Sequence, residues 1–178
     1  AISMFNEHKL FGAILDSATT DLDTEPKTLI PYPSDLSGIR SYGFDLRYAL
    51  ENFAETSDVS SYMTAADHVY AFNHLIFLAD EASAGVVEND INLKKGTPGN
   101  RSFRTEDSVL SARVPDDQAW PIRGAFATVN DFRLPGNDYA AALSDTARWT
   151  SFRDLYAGLA YGQTIDVDAM KGIAGYHP

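Results

Sequence analysis

The side chains of this chain that could ligate a metal, attack a carbonyl or move a proton are few and scattered. Its four histidines, His8, His68, His74 and His177, are isolated from one another in sequence, unlike the grouped ligands of a zinc site. Asp21-x-Asp23 and Asp166-x-Asp168 could offer oxygens to calcium, but neither has the glycine and distal glutamate of an EF-hand loop. Loop solvation and helix capping are their expected roles. No GxxxxGK[ST] loop, GxGxxG, HExxH or GxSxG elbow occurs, so neither a metal nor a cofactor is expected. Cysteine is absent altogether, which removes disulfides, thiolate ligands and a thiol nucleophile from the chain. That absence suits an oxidising or a reducing compartment equally, so it does not choose between cytoplasm and periplasm.

Four segments remain that carry recognisable chemistry. The first is Phe5-Asn6-Glu7-His8-Lys9-Leu10. The second is Ala71-Phe72-Asn73-His74-Leu75-Ile76-Phe77-Leu78-Ala79-Asp80, followed by Ala84-Gly85-Val86-Val87-Glu88. The third is Ala127-Thr128-Val129-Asn130-Asp131-Phe132, and the fourth is Leu134-Pro135-Gly136 with Ser144-Asp145-Thr146-Ala147-Arg148. Taken in order, they resemble the cholylglycine hydrolase and penicillin acylase family of N-terminal-nucleophile hydrolases, including its isopenicillin N acyltransferase-like branch. The first is similar to that family's "N-E-x-G-L" strand and turn, with Lys9 where glycine is usual. The second is similar to a strand, a "D-x-x-G" turn and a return strand ending in "V-x-E". The third resembles an "x-T-N-x-F" strand end, with Val129 in place of threonine. The fourth resembles "L-P-G-D-x-S-S-x-S-R", and Asp166 to Lys171 with His177 looks like the family's last helix.

The resemblance implies hydrolysis of a linear amide C–N bond, or acyl transfer, on a small acyl-amide substrate. In that family the first residue of the mature chain attacks, and its own α-amino group, with a pKa near ~8, acts as base. The resulting oxyanion needs rigid donors, each removable at a cost of about 3 kcal/mol. By resemblance Asn130 is such a donor. Arg148 resembles the family's active-site arginine, which orders the catalytic region through its fixed fork, and Asn73 lies where the family approaches its substrate pocket. The structural alternatives are a strand-ending turn asparagine at 130 and a helix-surface arginine at 148 paired with Asp145 or a nearby glutamate.

Two registrations of the N-terminal part are open. In one, Ala1 replaces the nucleophilic cysteine and Phe11-Gly12-Ala13-Ile14-Leu15-Asp16 is a degraded "F-G-R-N-L-D". In the other, which the order of the later segments favours, Asn6-Glu7 is the "N-E" element and the nucleophile lies upstream of residue 1. The expected partner is then an N-terminal segment or partner chain carrying the nucleophile, with a homo-oligomer also expected. Without it, a sheet edge would be exposed. The competing expectation is a non-catalytic module that binds a small ligand or a subunit on the same scaffold.

The elements that must position these residues can be read from apolar periodicity. Met4 to Leu15 reads as strand, turn and strand, and Asp16 to Pro33 as a long acidic loop. Phe44 to Phe53 reads as a helix, and Ser57 or Asp58 caps a second one running to about Ala66. Val69–Phe72, Leu75–Leu78 and Val86–Glu88 read as strands of a hairpin-rich sheet. A turn at Gly96–Asn100 precedes further strands at Ser108–Val114 and Gly124–Val129, and a turn follows at Leu134–Asn137. Two helices, about Asp145 to Ala160 and Asp166 to Ile173, close the chain. The aromatic residues Phe5, Phe11, Phe72, Phe77, Trp120 and Phe132 are expected in the core. Helices, then strands, then helices predict an α+β fold: a layered, mostly antiparallel sheet with helices outside, of the αββα kind by resemblance.

Composition bounds the function further. The chain has 178 residues, 44% of them hydrophobic, a net charge of −11 and a pI of about 4.6. That is enough for one domain without staples. Its acidity lacks the basic footprint of a nucleic-acid binder, and no apolar run approaches the ~18 residues of a membrane span. The opening residues have no basic stretch followed by an apolar one, so a signal peptide is not expected.

Overall fold

A computed structural model of the chain describes residues 2–16, 20–21, 28–29, 37–70, 73–90, 101–111, 124–135, 137, 146–157, 166 and 168. Strands β1 (Ile2–Phe5) and β2 (Phe11–Asp16) form an antiparallel hairpin with Phe5 opposite Phe11. Its turn is built by one side chain. Asn6 Oδ1 accepts from the backbone N–H of His8 and of Leu10, both at 3.0 Å, while Lys9 takes a left-handed φ of 63°. The expected glycine position is therefore one where glycine is sterically favoured. Asn6 Nδ2 donates in turn to Leu50 O and Phe53 O at 2.8 and 3.0 Å, fastening the hairpin to carbonyls at the end of α1 (Tyr42–Asn52).

Helix α1 buries Leu46, Ala49 and Leu50 on one stripe, and α2 (Thr56–Met63) buries Val59 and Met63. Both close over one face of the sheet, against Ile14, Ile76, Leu78 and Val87. Strands β5 (His74–Ala79) and β6 (Ala84–Asn89) form a second hairpin, and β7 (Arg101–Arg104) pairs antiparallel with β6. The sheet order is β1-β2-β5-β6-β7, antiparallel throughout. Because side chains alternate across a strand, Leu75, Val86 and Glu88 face away from the helices. There they meet the 125–135 segment, with Phe132 packed on Leu75 and Val86. Helix α3 (Thr146–Ala157) adds Trp149 and Tyr156 to a cluster with Ala127 and Val129. Gly85 is needed where β6 passes β7, since a Cβ there would meet the Phe103 ring and lie 2.7 Å from Arg104 O.

The fold is thus α+β, with a five-stranded antiparallel sheet, a two-stranded ribbon and three helices among the described residues. A second large sheet, which an αββα sandwich requires, is not among the described residues. Several expected elements differ. The 16–33 loop contains a ribbon of two-residue strands, β3 (Thr20–Asp21) and β4 (Thr28–Leu29). Val69 and Tyr70 lie outside the sheet, where Tyr70 makes an isolated bridge to Arg40. Residues 108–111 and 124–129 are irregular rather than strands; Ala127 and Val129 are buried by α3, without a ladder. The turn at Leu134–Asn137 is present, with Asn137 N donating to Leu134 O at 3.2 Å. Phe132 is buried as expected, but Phe5 is 67% exposed on the edge strand. The turn at 96–100, Phe72 and Trp120 lie outside the described residues, as does the last helix apart from Asp166 and Asp168.

Candidate functional site

Asn130 ends the irregular 125–129 run, and Arg148 lies in the first turn of α3. Eighteen residues apart in sequence, they meet: Arg148 Nη1 lies 3.3 Å from Asn130 Oδ1. A guanidinium can only donate, so the contact fixes the amide with its oxygen toward Arg148 and its NH₂ group turned the other way. The two flanking residues, Val129 and Asp131, are buried, which holds the Asn130 backbone while its side chain stays accessible. Asn73 is buried at the start of β5, beside His74. No hydrogen bond among the described residues joins it to the Asn130–Arg148 pair.

Beneath that pair lies a buried charged lattice. Glu88 on β6 is fully enclosed, and its carboxylate accepts Arg104 Nε at 2.7 Å. It also accepts the backbone N–H of Arg133 at 3.0 Å on each oxygen, Leu134 N at 3.0 Å and Asn137 Nδ2 at 3.1 Å. Arg133 Nη2 lies 3.2 Å from Asp131 Oδ2, with both side chains buried. Trp149 receives both guanidiniums on its ring, Arg133 at 4.6 Å and Arg104 at 5.6 Å, within the range of cation–π attraction. Arg104 Nη2 also donates to Thr128 Oγ1 at 3.1 Å. Burial pulls the Arg104 guanidinium below its ordinary pKa, and the facing Glu88 opposes that. Two arginines and two carboxylates therefore balance here, as buried charges must.

Periodicity had pointed to none of these lattice residues as functional. Glu88 carried a signal, being an acid at a core-facing position of an apolar strand. Arg104 carried a weaker one at the end of Arg-Ser-Phe-Arg. Asp131 and Arg133 carried none, because their burial depends on α3 and β6 together.

On the helix-covered face, a second polar row crosses one end of the sheet. His74 and Asn89 are cross-strand partners, with Asn89 Nδ2 3.3 Å from His74 Nδ1. The His74 ring stacks on Tyr42 at 4.2 Å. Arg40 forms a two-point bridge to Asp45 at 2.6 and 2.8 Å and donates to Tyr62 Oη at 2.8 Å. Burial, reinforced by Asp45, pushes the Tyr70 phenol far up, so it is neutral at physiological pH.

At the opposite end, a cleft of about 460 Å³ is lined by Asp80, Glu81, Thr105, Glu106, Asp107 and Phe126 among others. Three of its carboxylates do structural work. Asp80 accepts Thr56 N, Ala82 N and Ser83 N at 2.7–2.9 Å, Glu106 accepts Gly124 N at 2.7 Å, and Glu81 pairs with Lys9. Among the described residues, no three His, Asp or Glu side chains are grouped to hold a metal ion, and no helix is long and apolar enough to cross a membrane. Compared with family models, with curated proteins and with solved structures, the chain matches none.

Proposed function

We propose that this chain supplies the oxyanion-binding part of a linear-amide C–N hydrolase or acyltransferase of the N-terminal-nucleophile type. The attacking cysteine is contributed by a segment or partner chain outside these 178 residues. One observation carries the reading: Asn130 and Arg148, singled out separately by resemblance, lie within hydrogen-bond distance of each other. An asparagine whose oxygen is held by arginine is a neutral, pre-oriented N–H donor. Such a donor suits charge that develops on a carbonyl oxygen, because its dipole need not reorganise during reaction. The αβ scaffold, the left-handed position at Lys9 and the Asp80 turn agree with the segments from which the resemblance was drawn.

In the proposed reaction, the thiol of the contributed cysteine attacks the acyl carbonyl and passes its proton to the α-amine. The tetrahedral oxyanion is held by Asn130, and the amine leaves with that proton. Water or an acceptor amine then takes the acyl group. Intact-mass measurement and N-terminal sequencing of the natural protein, followed by incubation with acyl amides, test the reading. A cysteine-bearing segment and release of free amine are expected. A natural product without such a segment or partner overturns it. The complete lack of cysteine in the chain favours a second reading, a small-ligand or subunit-binding module on the same scaffold, for which saturable binding without turnover is the signature.

A further inference from the structure

The geometry points to Glu88 as the positioning residue of the Asn130–Arg148 pair. It acts through the backbone it grips rather than by touching a substrate, and its importance to a reaction rests on the function proposed above. The 124–129 run pairs with no strand among the described residues, and the stretch that follows it is secured to the sheet differently. One carboxylate on β6 takes the backbone N–H groups of two successive residues, Arg133 and Leu134, and the side chain of Asn137. It thereby does for Arg133, Leu134 and Asn137 what a ladder of carbonyls does in a sheet. Ser111 N adds a bond to Arg133 O at 2.8 Å, locking the peptide groups on either side of Arg133.

Two routes lead from this clamp to the pair. Along the chain, Arg133 holds Asp131 at 3.2 Å, and Asp131 adjoins Asn130. Through space, the guanidinium of Arg133 and that of Arg104, which is itself held by Glu88 at 2.7 Å, both rest on the ring of Trp149, next to Arg148. Glu88 thus grips the Asn130 arm directly and reaches the Arg148 arm through Arg104 and the Trp149 ring. An interior carboxylate is costly to keep unless its partners are fixed, and here every partner named belongs to β7 or to the segment that bears Asn130.

Nuclear magnetic resonance of the full 178-residue chain tests the inference without requiring catalysis. The side-chain NH₂ resonances of Asn130 are identified by their loss in Asn130→Asp. Glu88→Gln is expected to move that NH₂ pair and to speed exchange of the Arg133 and Leu134 amides by about tenfold or more, while Ala49 and Leu50 in α1 keep their protection. Asn130 resonances that stay in place while Arg133 and Leu134 lose protection overturn it. If Glu88→Gln does not fold, Asn137→Ala removes a single donor to the carboxylate. It should displace the same resonances by less, and no displacement again overturns the inference. Turnover by the natural protein separates the two claims. Loss of activity in Asn130→Ala with unchanged kcat in Glu88→Gln removes Glu88 alone. Unchanged activity in Asn130→Ala removes the proposed reaction and leaves the resonance coupling to stand or fall by itself.

Discussion

Arg104 Nε lies 2.7 Å from Glu88 Oε1, and the two side chains are 1% and 0% exposed. A pair so enclosed is expensive to break, because the remaining charge stays buried without its partner. Glu88→Ala is expected to cost about 3–5 kcal/mol, a large share of the roughly 5–15 kcal/mol that holds a domain together. Replacing both partners, as Glu88→Leu with Arg104→Met, is often neutral for a simple buried pair. Here it should remain destabilising by about 2 kcal/mol or more, since the N–H groups of Arg133 and Leu134 also lose their acceptor. Urea unfolding of the single and double variants measures this. Full recovery in the double variant would mean that the carboxylate serves only the arginine.

Helix α2 is capped from a distance. Its own N-cap residue, Glu55, makes no side-chain cap; the carboxylate of Asp80, in the β5–β6 turn, accepts Thr56 N at 2.9 Å instead. Burial alone would raise the Asp80 pKa, but the N–H groups of Thr56, Ala82 and Ser83 outweigh it and bring the value down from 3.8 to about 2. The folded pKa being the lower, Asp80 contributes its stability above the unfolded value near ~4 and loses it as pH falls toward 2. Asp80→Asn should therefore be less stable by about 1 kcal/mol at pH 7. That deficit should shrink between about pH 4 and 2, which thermal melts across the range will show. A deficit independent of pH would contradict the assignment.

Lys9 occupies a conformation that a side chain disfavours by about 1–2 kcal/mol. Its ion pair with Glu81 joins two exposed groups, worth about 0–1 kcal/mol at most. Lys9→Gly is expected to raise stability by up to about 1 kcal/mol, and Lys9→Val, whose branch worsens the strain, to lower it. Melting temperatures of the two variants should move in opposite directions. A drop in both would show that the ion pair outweighs the backbone strain.

The readable parts of the fold were those whose periodicity is local. Leu46, Ala49 and Leu50 mark α1 at helical spacing, and the apolar clusters Leu75–Leu78 and Val86–Val87, joined by a small-residue turn, mark the central hairpin. Strand β7 was illegible because Arg101-Ser102-Phe103-Arg104 is short and polar, and its arginines donate to partners distant in sequence, among them His68 O and Glu88. Gly124–Val129 reads as a strand because it is apolar and small, yet Ala127 and Val129 are buried by α3 instead. The Asn130–Arg148 contact could be suspected from motif order alone. The lattice that supports it could not be assembled from sequence, since its charges come from β6, β7 and the 131–133 stretch, and the ring they rest on, Trp149, from α3.

The proposed chemistry requires that the Asn130 amide stabilise developing charge. In the natural protein turning over an acyl amide, Asn130→Ala should lower kcat by about 100- to 1000-fold, with little change in KM, as expected when one oxyanion donor is removed. A kcat equal to that of the unmodified protein would contradict the assignment of Asn130 and, with it, the proposed chemistry.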